Sequence, residues 1–281
     1  MNIKLQWKDS KKNFAVKIYT HNIRYATSSP FKEERPWNER KHLIASSILF
    51  NSFNQPTIVL LQEVLHKQLE DLLALLGHDW KFCGVARDDG KTKGEYAPIL
   101  YKSTQFDVEL NRTFWLSETP DFPSKGWDAA SYRILNVAML RYKPLDRVIY
   151  ALNTHLDNEG ENSRYESAKL IRRIISSLET HDILVLGGDL NSESDKTPYI
   201  ELKQDLTDAF IAARSQYGNV NTFTGFGKNV RQQRIDYIFV SPNMSVESVG
   251  VLANRFDDNV LSSDHRPLVA NIVAPEKSKS K

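Results

Sequence analysis

Cysteine is almost absent from this chain of 281 residues, in which Cys83 is the only one. A single cysteine excludes an intramolecular disulfide and a cysteine-rich zinc site. Because Cys83 directly follows Phe82, we expect it to be a packed thiol.

Long apolar segments are also missing. No run approaches membrane-spanning length, and residues 1–14 lack the apolar stretch of a secretory signal. We therefore expect a cytoplasmic protein, with the nucleus as an alternative location, and no membrane partner. No linker, repeat or composition break divides the chain, which predicts one domain over residues 1–281, a short flexible C-terminal tail (EKSKSK) and a monomer.

An excess of positive charge is the third absence. Lys and Arg number 37 and Asp and Glu 35, which gives a formal net charge of only +2. A protein that binds long nucleic acids through phosphate neutralisation usually carries more positive charge, or concentrates it on one face. The balance favours a short or small phosphate substrate, but only mildly.

Apolar periodicity indicates alternating strands and helices, followed mostly by strands. Helical spacing predicts helices at residues 38–53, 66–76 and 163–178. Strand patterns cover residues 15–20, 57–61, 96–101, 106–116, 134–142, 148–155, 182–186, 235–240, 246–252 and 267–273. This order predicts a mixed-sheet α/β fold, which two facing sheets with helices outside would accommodate.

Two acidic residues directly follow buried-type strands. Glu63 comes after TIVLLQ, and its carboxylate either belongs to a site at the strand end or caps the following helix. Asp189 follows LVLGG, whose glycines end the run and allow close approach of backbone or ligand. Asn191 would project to the same side as Asp189 if the segment is extended. The two suit a shared site, with an Asx turn as the alternative.

A third carboxylate, Asp236, lies within the apolar run RIDYIFV. An unpaired charge there would be costly, so Asp236 should have a histidine or arginine partner. Asp264 and His265, adjacent in a short polar turn, are candidates. A lone Asp-His pair is weak evidence, and its value comes from the other strand-end groups.

Oxygen ligands of this kind favour Mg²⁺ or Mn²⁺ over zinc. Magnesium needs only one or two carboxylates together with water and substrate phosphate. Such an ion can polarise a phosphoryl oxygen, and a nearby histidine can stabilise charge or move a proton. The strand-end residues therefore predict a metal-dependent phosphoesterase.

Five ordered blocks resemble the endonuclease/exonuclease/phosphatase superfamily, which includes DNase I-like enzymes. They are THNIRY (20–25), LLQEV (60–64), NTHLDN (153–158), GGDLNS (187–192) with RIDYIFVS (234–241), and SSDHRPL (262–268). Each block alone is common, but all five in this order are a strong signal. The resemblance implies a DNase I-like, four-layer fold, in which a two-sheet β-sandwich is flanked by helices and the site lies at one sheet edge.

The resemblance also implies hydrolysis of a phosphoester by metal-activated water, with inversion at phosphorus. Matched position by position, Asn22 and Glu63 resemble the metal-binding pair, and Asp264 the late acidic residue near the metal. Some branches place a second acidic residue just after the first-strand asparagine. Here Ile23 and Arg24 follow Asn22, which favours a single-metal site.

The remaining matched residues resemble the catalytic set. His155 resembles a phosphate-contacting histidine. Asp189 resembles the residue that orients or deprotonates the attacking water, and Asn191 its neighbour that contacts phosphate or metal. Asp236 resembles the carboxylate that orients His265, which would stabilise the phosphorane-like transition state.

Substrate contacts are expected from residues other than the five that resemble the catalytic set. Arg24 is a candidate for a phosphate contact, with a surface salt bridge as the alternative. Tyr96, Trp127 and Arg133 are candidates to line the pocket by stacking on and pairing with a base or sugar phosphate, while core packing is the alternative for the aromatic residues.

Three functions remain open at this point. The first is a phosphodiesterase, a nuclease acting on RNA or DNA and exonucleolytic in its expected action. The second is a phosphatase of a small phosphorylated metabolite. The third, a non-catalytic binding module of the same fold, predicts substitutions at the metal or histidine positions, yet every matched residue is present.

Overall fold

The computed structural model describes residues 14–178, 183–256 and 259–274. The strands are β1 (Ala15–Asn22), β2 (Thr57–Gln62), β3 (Trp80–Cys83), β4 (Ile99–Lys102), β5 (Phe106–Trp115), β6 (Ile134–Tyr142), β7 (Arg147–His155), β8 (Leu184–Asp189), β9 (Thr207–Asp208), β10 (Ser215–Gly218), β11 (Asp236–Val240), β12 (Ser245–Val251) and β13 (Leu268–Val273). The α-helices are α1 (Trp37–Asn51), α2 (His66–Leu76), α3 (Glu161–Ser177), α4 (Thr197–Leu202) and α5 (Ala209–Ala212).

The strands form two mixed sheets. The seven-stranded sheet has the order β10-β12-β13-β1-β2-β4-β3, and the six-stranded sheet has the order β5-β6-β7-β8-β11-β9. β1 runs parallel to β2, and β7 runs parallel to β8. Each sheet therefore has a parallel pair near its middle, whose carboxyl ends lie together at one edge.

Three apolar clusters hold four layers together. One lies between the sheets and contains residues of both, such as Ile18 and Leu60 from one and Ala151 and Ile238 from the other. A second packs α3 and α4 on the outer face of the six-stranded sheet. A third packs α1 and α2 on the outer face of the seven-stranded sheet. The predicted fold, a two-sheet sandwich flanked by helices, is confirmed.

Along each parallel strand, the side chains that point between the two sheets change from apolar to polar. In β1, Val16 and Ile18 belong to the apolar cluster, whereas Thr20 and Asn22 continue the same alternate positions. Because successive side chains of a strand point to opposite faces, these polar groups also point between the sheets. The same change occurs in β2, β7 and β8, where the polar residues are Gln62, Asn153, His155 and Asp189.

Two glycines let β8 reach this polar end. A Cβ on Gly187 would lie 2.5 Å from Cδ1 of Leu60 in the facing sheet. Gly188 has a φ of 145°, and a Cβ there would lie 2.0 Å from the Thr154 carbonyl oxygen. The strand therefore continues through both glycines to Asp189, and the prediction that they break it after Leu186 is wrong. Pairing with β7 and β11 on either side supports this glycine segment.

Other boundaries differ from the predictions by small amounts. The strand predicted over 96–101 begins only at Ile99, just after Pro98, which has no N–H to donate to a ladder. Short elements such as β3, β9, β10 and α5 were not predicted. Asp182, the predicted start of β8, and the predicted flexible tail lie outside the described residues. In the part of the chain that the structure describes, every helix is too short or too polar to cross a membrane.

Candidate active site

A cavity of about 540 Å³ opens at the polar edge of the two sheets. Its lining includes most of the residues predicted for the site. They are Arg24, Glu63, Arg133, His155, Asp189, Asn191, Asp264 and His265, joined by Tyr25, Arg87, Glu95, Ser131, Asn158, Phe223, Gln233 and Ile235.

Asp189 lies at the base of this cavity, where the end of β8 is buried between the sheets. Its Oδ2 accepts a hydrogen bond from Nδ2 of Asn22 at 3.0 Å, and its Oδ1 accepts one from the backbone N–H of Asn191 at 2.8 Å. Burial, reinforced by the charge of Asp236, raises the pKa of Asp189 to about 7. A carboxylate with such a pKa can exchange a proton near neutral pH.

His265 lies between two carboxylates. Its Nδ1 donates to Oδ2 of Asp236 at 2.8 Å, and its Nε2 is 3.7 Å from Oδ2 of Asp189. Burial alone would lower the pKa of His265, but the charges of Asp236 and Asp189 raise it to about 10. The imidazole is therefore held as a cation, with Asp236 fixing its orientation. The partner expected for Asp236 from its buried position is this histidine.

Glu63 and Asp264 bring further negative charge to the cavity. Nδ2 of Asn22 donates to Oε1 of Glu63 at 3.0 Å, and the N–H of Tyr25 donates to Oε2 of Glu63 at 3.1 Å. Burial, together with the charge of Glu63, raises the pKa of Asp264. Glu63 does not cap α2, whose N-cap is Leu65.

This set of buried oxygen groups fits a hard divalent cation. The ligand atoms of Asp189, Asp236 and His265 lie within 4.8 Å of one another, but Nδ1 of His265 is already bonded to Asp236. The predicted ligands Glu63 and Asp264 offer carboxylate oxygens, which Mg²⁺ prefers, whereas Asn22 turns its Nδ2 towards Glu63 and Asp189 and its Oδ1 accepts the N–H of Arg24. Glu63 and Asp264 line the same cavity, where they bring negative charge that a cation could neutralise.

Asn191 connects Asp189 to His155. Nδ2 of Asn191 lies 3.0 Å from Nε2 of His155 and donates to the carbonyl oxygen of Leu156 at 2.9 Å. Burial and the neighbouring guanidinium groups of Arg133 and Arg87 lower the pKa of His155 well below its usual value, which makes this imidazole neutral. The two histidines of the site therefore differ in charge.

The backbone at three site residues is left-handed. Arg24, Glu63 and Asn191 have φ values of 57°, 60° and 47°. The segment is therefore not extended at Asn191, whose N–H closes an Asx turn with Asp189, the alternative given above, and both residues still line the same cavity. Arginine and glutamate rarely adopt this conformation, and such strain is concentrated at functional sites.

Arg24 takes part in ion pairs at the wall of the cavity rather than at the open surface. Its Nε lies 3.2 Å from Oε1 of Glu34, and its Nη1 lies 3.8 Å from Oε2 of Glu63. The guanidinium also lies over the Tyr25 ring, 4.2 Å from the centroid. It can reach a substrate only from within this network.

Tyr96 and Trp127 do not line the cavity. Tyr96 is buried in the cluster beneath α2, where its hydroxyl lies 2.9 Å from Nδ1 of His66 and donates to the Lys91 carbonyl oxygen. Trp127 packs against the cluster beneath α3. Burial of apolar surface accounts for the position of Tyr96, whereas Trp127 is only partly buried, so contact of its ring with a substrate stays a prediction.

Two charged residues of the cavity were not predicted. Arg87 lies in the segment after β3, and Glu95 immediately precedes Tyr96. A buried charge beside an apolar run, as in GEYAPIL, was the available signal for Glu95. No comparable signal marked Arg87.

The profile of the Endonuclease/Exonuclease/phosphatase family matches residues 19–265. The chain therefore belongs to this family of phosphoester hydrolases, and the predicted class of enzyme is confirmed at that level. The family generally uses a divalent metal, and the carboxylate-rich cavity is consistent with one.

Three relatives illustrate the match. A crystal structure of the endonuclease/exonuclease/phosphatase from Bacteroides vulgatus is 35% identical, with a TM-score of 0.87 over 94% of this chain and 100% of that one. The mannosyl-6-phosphatase Bt3783 of Bacteroides thetaiotaomicron is 32% identical, with a TM-score of 0.84 over 92% and 99%. An uncharacterised Acanthamoeba polyphaga mimivirus protein, L388, is 25% identical over 90% of this chain and 98% of its own length.

Proposed function

We propose that this protein is a Mg²⁺-dependent phosphatase that hydrolyses a small phosphate monoester, with a sugar phosphate as the best substrate class. The observation that carries this proposal is the cavity of about 540 Å³, which holds the hydrolytic residues and lies in the size range of small-molecule sites. Of the activities left open by the sequence, this one replaces the nuclease as the first choice.

Charge in the cavity supports the same choice. Each cavity arginine has a carboxylate partner: Arg24 has Glu34, Arg87 has Glu95, and Arg133 has Asp157. A groove for a nucleic-acid backbone instead uses cations that are free to neutralise successive phosphates. The likeness to the mannosyl-6-phosphatase, at 32% identity, also supports a small ester.

Glu63 and Asp264 would hold the metal ion, and Asn22 would orient Glu63 and Asp189 through its Nδ2. A bound divalent ion would supply charge neutralisation for the phosphoryl group. In the proposed reaction Asp189 accepts a proton from the attacking water, consistent with its pKa of about 7. The His265 cation, oriented by Asp236, stabilises negative charge that develops on the phosphoryl oxygens.

Asn191 and His155 would orient the phosphate. Nδ2 of Asn191 is engaged by His155 and the Leu156 carbonyl, which fixes the plane of the amide at the cavity wall. Attack by water on the face opposite the leaving oxygen would invert the configuration at phosphorus. These roles use residues that the fold already brings within one cavity.

The test is a direct comparison of esters. The purified protein would be given hexose 6-phosphates, p-nitrophenyl phosphate, bis(p-nitrophenyl) phosphate and labelled single-stranded RNA and DNA, with Mg²⁺ or with EDTA. His265→Ala serves as the control for contaminating phosphatase. We expect Mg²⁺-dependent turnover of monoesters and little of diesters. Turnover of RNA or DNA without turnover of monoesters would overturn the proposal.

One observation favours nuclease action as a second candidate. A neighbouring cavity of about 250 Å³ is lined by Lys228, Arg255 and Arg266, and its described lining contains neither Asp nor Glu. Such a cationic surface could bind a phosphate of a nucleic acid. If nuclease activity is found, substituting these three residues should weaken binding and reduce its dependence on salt.

A further inference from the structure

Arg87 and Glu95 occupy one wall of the cavity, beside His155, and neither takes part in the proton transfer described above. Nη1 and Nη2 of Arg87 donate to the two carboxylate oxygens of Glu95 at 2.8 and 3.0 Å. Both side chains are about 15% exposed, and both line the cavity. A two-point pair of this kind holds both side chains in a fixed orientation.

Arg133 extends this wall. Its Nε donates to Oδ2 of Asp157 at 3.2 Å, and its Nη2 donates to Oδ1 of Asn158 at 2.7 Å. Nη1 of Arg133 and Nε of Arg87 have no hydrogen-bond partner among the described residues. Both nitrogens are also closed off from solvent, so a substrate at this wall would meet the other N–H groups of Arg87 and the amide of Asn158 rather than these two.

The charges on this wall balance. Arg87 is neutralised by Glu95, and Arg133 by Asp157, so a second anionic group of a substrate would gain little here. The wall nevertheless offers both kinds of hydrogen-bonding partner. Each Glu95 oxygen accepts one bond from Arg87 and can accept another, and the guanidinium and amide groups of Arg87 and Asn158 can donate.

Groups that both donate and accept fit such a wall best. A hydroxyl does so, and adjacent hydroxyls can donate to the two oxygens of one carboxylate. We infer that Glu95, Arg87, Arg133 and Asn158 form a subsite that binds the hydroxyl groups of a sugar, while the phosphate of the same molecule lies against Asp189 and His265. This inference rests on the proposed phosphatase function and assigns its specificity to this wall.

The test compares a substrate series in Glu95→Gln. Glutamine keeps the shape and one acceptor oxygen but loses the charge and the second acceptor. We expect kcat/KM for a hexose 6-phosphate to fall by about 10- to 100-fold, the effect of weakened hydrogen bonds to a charged group. The fall for p-nitrophenyl phosphate, which has no hydroxyls, should be at least tenfold smaller.

Deoxy sugar phosphates provide the second half of the experiment. Removing the hydroxyl that donates to Glu95 should reduce kcat/KM in the wild type but have a much smaller effect in Glu95→Gln, because the contact is already lost. Asp88→Asn is the matched control, since Asp88 lies 3.8 Å from Nε of Arg87 but does not line the cavity. It should preserve the ranking of the substrates.

The outcomes separate the two proposals. Equal losses on all esters would assign Glu95 to positioning His155, whose Nδ1 is 4.0 Å away, and would overturn the hydroxyl subsite while leaving the phosphatase intact. Equal discrimination against deoxy sugars in wild type and Glu95→Gln would also overturn the subsite. Absence of wild-type turnover on every monoester would overturn the phosphatase, and the subsite with it.

Discussion

The two ends of the layer between the sheets are built from the same strands yet have opposite chemistry. At one end, residues such as Ile18, Ile58 and Val185 pack as an apolar core. At the other, the same alternate positions carry groups such as Asn22 and Asp189, which are equally buried but hydrogen-bonded. The comparison shows that one strand register can position both a core and an active site.

Burial therefore has different consequences at the two ends. At the apolar end it stabilises the fold, since removing apolar surface from water is favourable. At the polar end it raises the pKa of Asp189, while the charges of Asp236 and Asp189 outweigh burial and raise the pKa of His265. Substitutions at the two ends should accordingly separate activity from stability.

The largest expected effect is on activity, from Asp189→Asn at the polar end. Loss of the proposed general base should reduce kcat by about 10³-fold, within the range for such groups. Stability should be unchanged or increased above pH 7, because burying the ionised form of a carboxyl whose pKa is raised opposes folding. Initial rates and urea midpoints measure both. Near-normal turnover in the folded variant would remove Asp189 from the chemistry.

Ile18→Ala tests the apolar end. Ile18 is fully buried between the sheets, so truncation should cost about 2–5 kcal/mol of unfolding free energy. The kcat of the folded protein should change less than about twofold, because the side chain contacts the core and not the cavity. Urea titration and active-site-normalised rates give the two values. A large fall in kcat at full folding would mean that the ends are coupled.

Asn153→Ala should have an intermediate effect on stability. Nδ2 of Asn153 donates to the carbonyls of Leu61 and Pro98, and its Oδ1 accepts from Nε2 of Gln62 at 2.8 Å. Leaving buried polar groups unpaired costs about 1–3 kcal/mol. Asn271→Ala, which removes one half-buried bond to Ser248, is the control and should cost less. Equal costs would show that the polar connection between the sheets adds no stability.

Asp157→Asn should have an effect on stability that depends on pH. Burial alone would raise the pKa of Asp157, but the N–H groups of Gly160 and Ala130 and the charge of Arg133 lower it to about 2. Because the folded protein favours the ionised form of Asp157, this carboxylate stabilises the fold above about pH 4. Its contribution is lost as the pH falls towards 2. The wild type should exceed the variant in urea midpoint at pH 7, and the difference should shrink in acid. A constant difference would contradict this.

The sequence predicted the parts of the site that depend on strand ends. Glu63, Asp189 and Asp236 were expected to belong to a site because a charge beside or within a buried strand is costly unless it is paired or binds a ligand. The structure brings the three to one edge. The two-sheet fold followed from the same strands together with the family resemblance.

Local backbone geometry and loop packing were not predictable in this way. The left-handed conformation at Glu63 accompanies a tertiary contact with the N–H of Tyr25, whereas Asn191 adopts it in a local Asx turn that asparagine readily forms. β8 continues through Gly187 and Gly188 because neighbouring strands pair with it, although glycine disfavours strands. Glu95 lines the cavity next to Tyr96, whose backbone bridges to Val64 and Ala86, and such long-range pairing of a loop is not visible in the sequence.

Phosphate release from a hexose 6-phosphate in Mg²⁺ tests the central claim most directly, measured on wild type, Asp189→Asn and Ile18→Val side by side. The account predicts release by the wild type that EDTA abolishes, release about 10³-fold slower in Asp189→Asn, and nearly normal release in Ile18→Val. Equal release by wild type and Asp189→Asn, or none by the wild type, would contradict it.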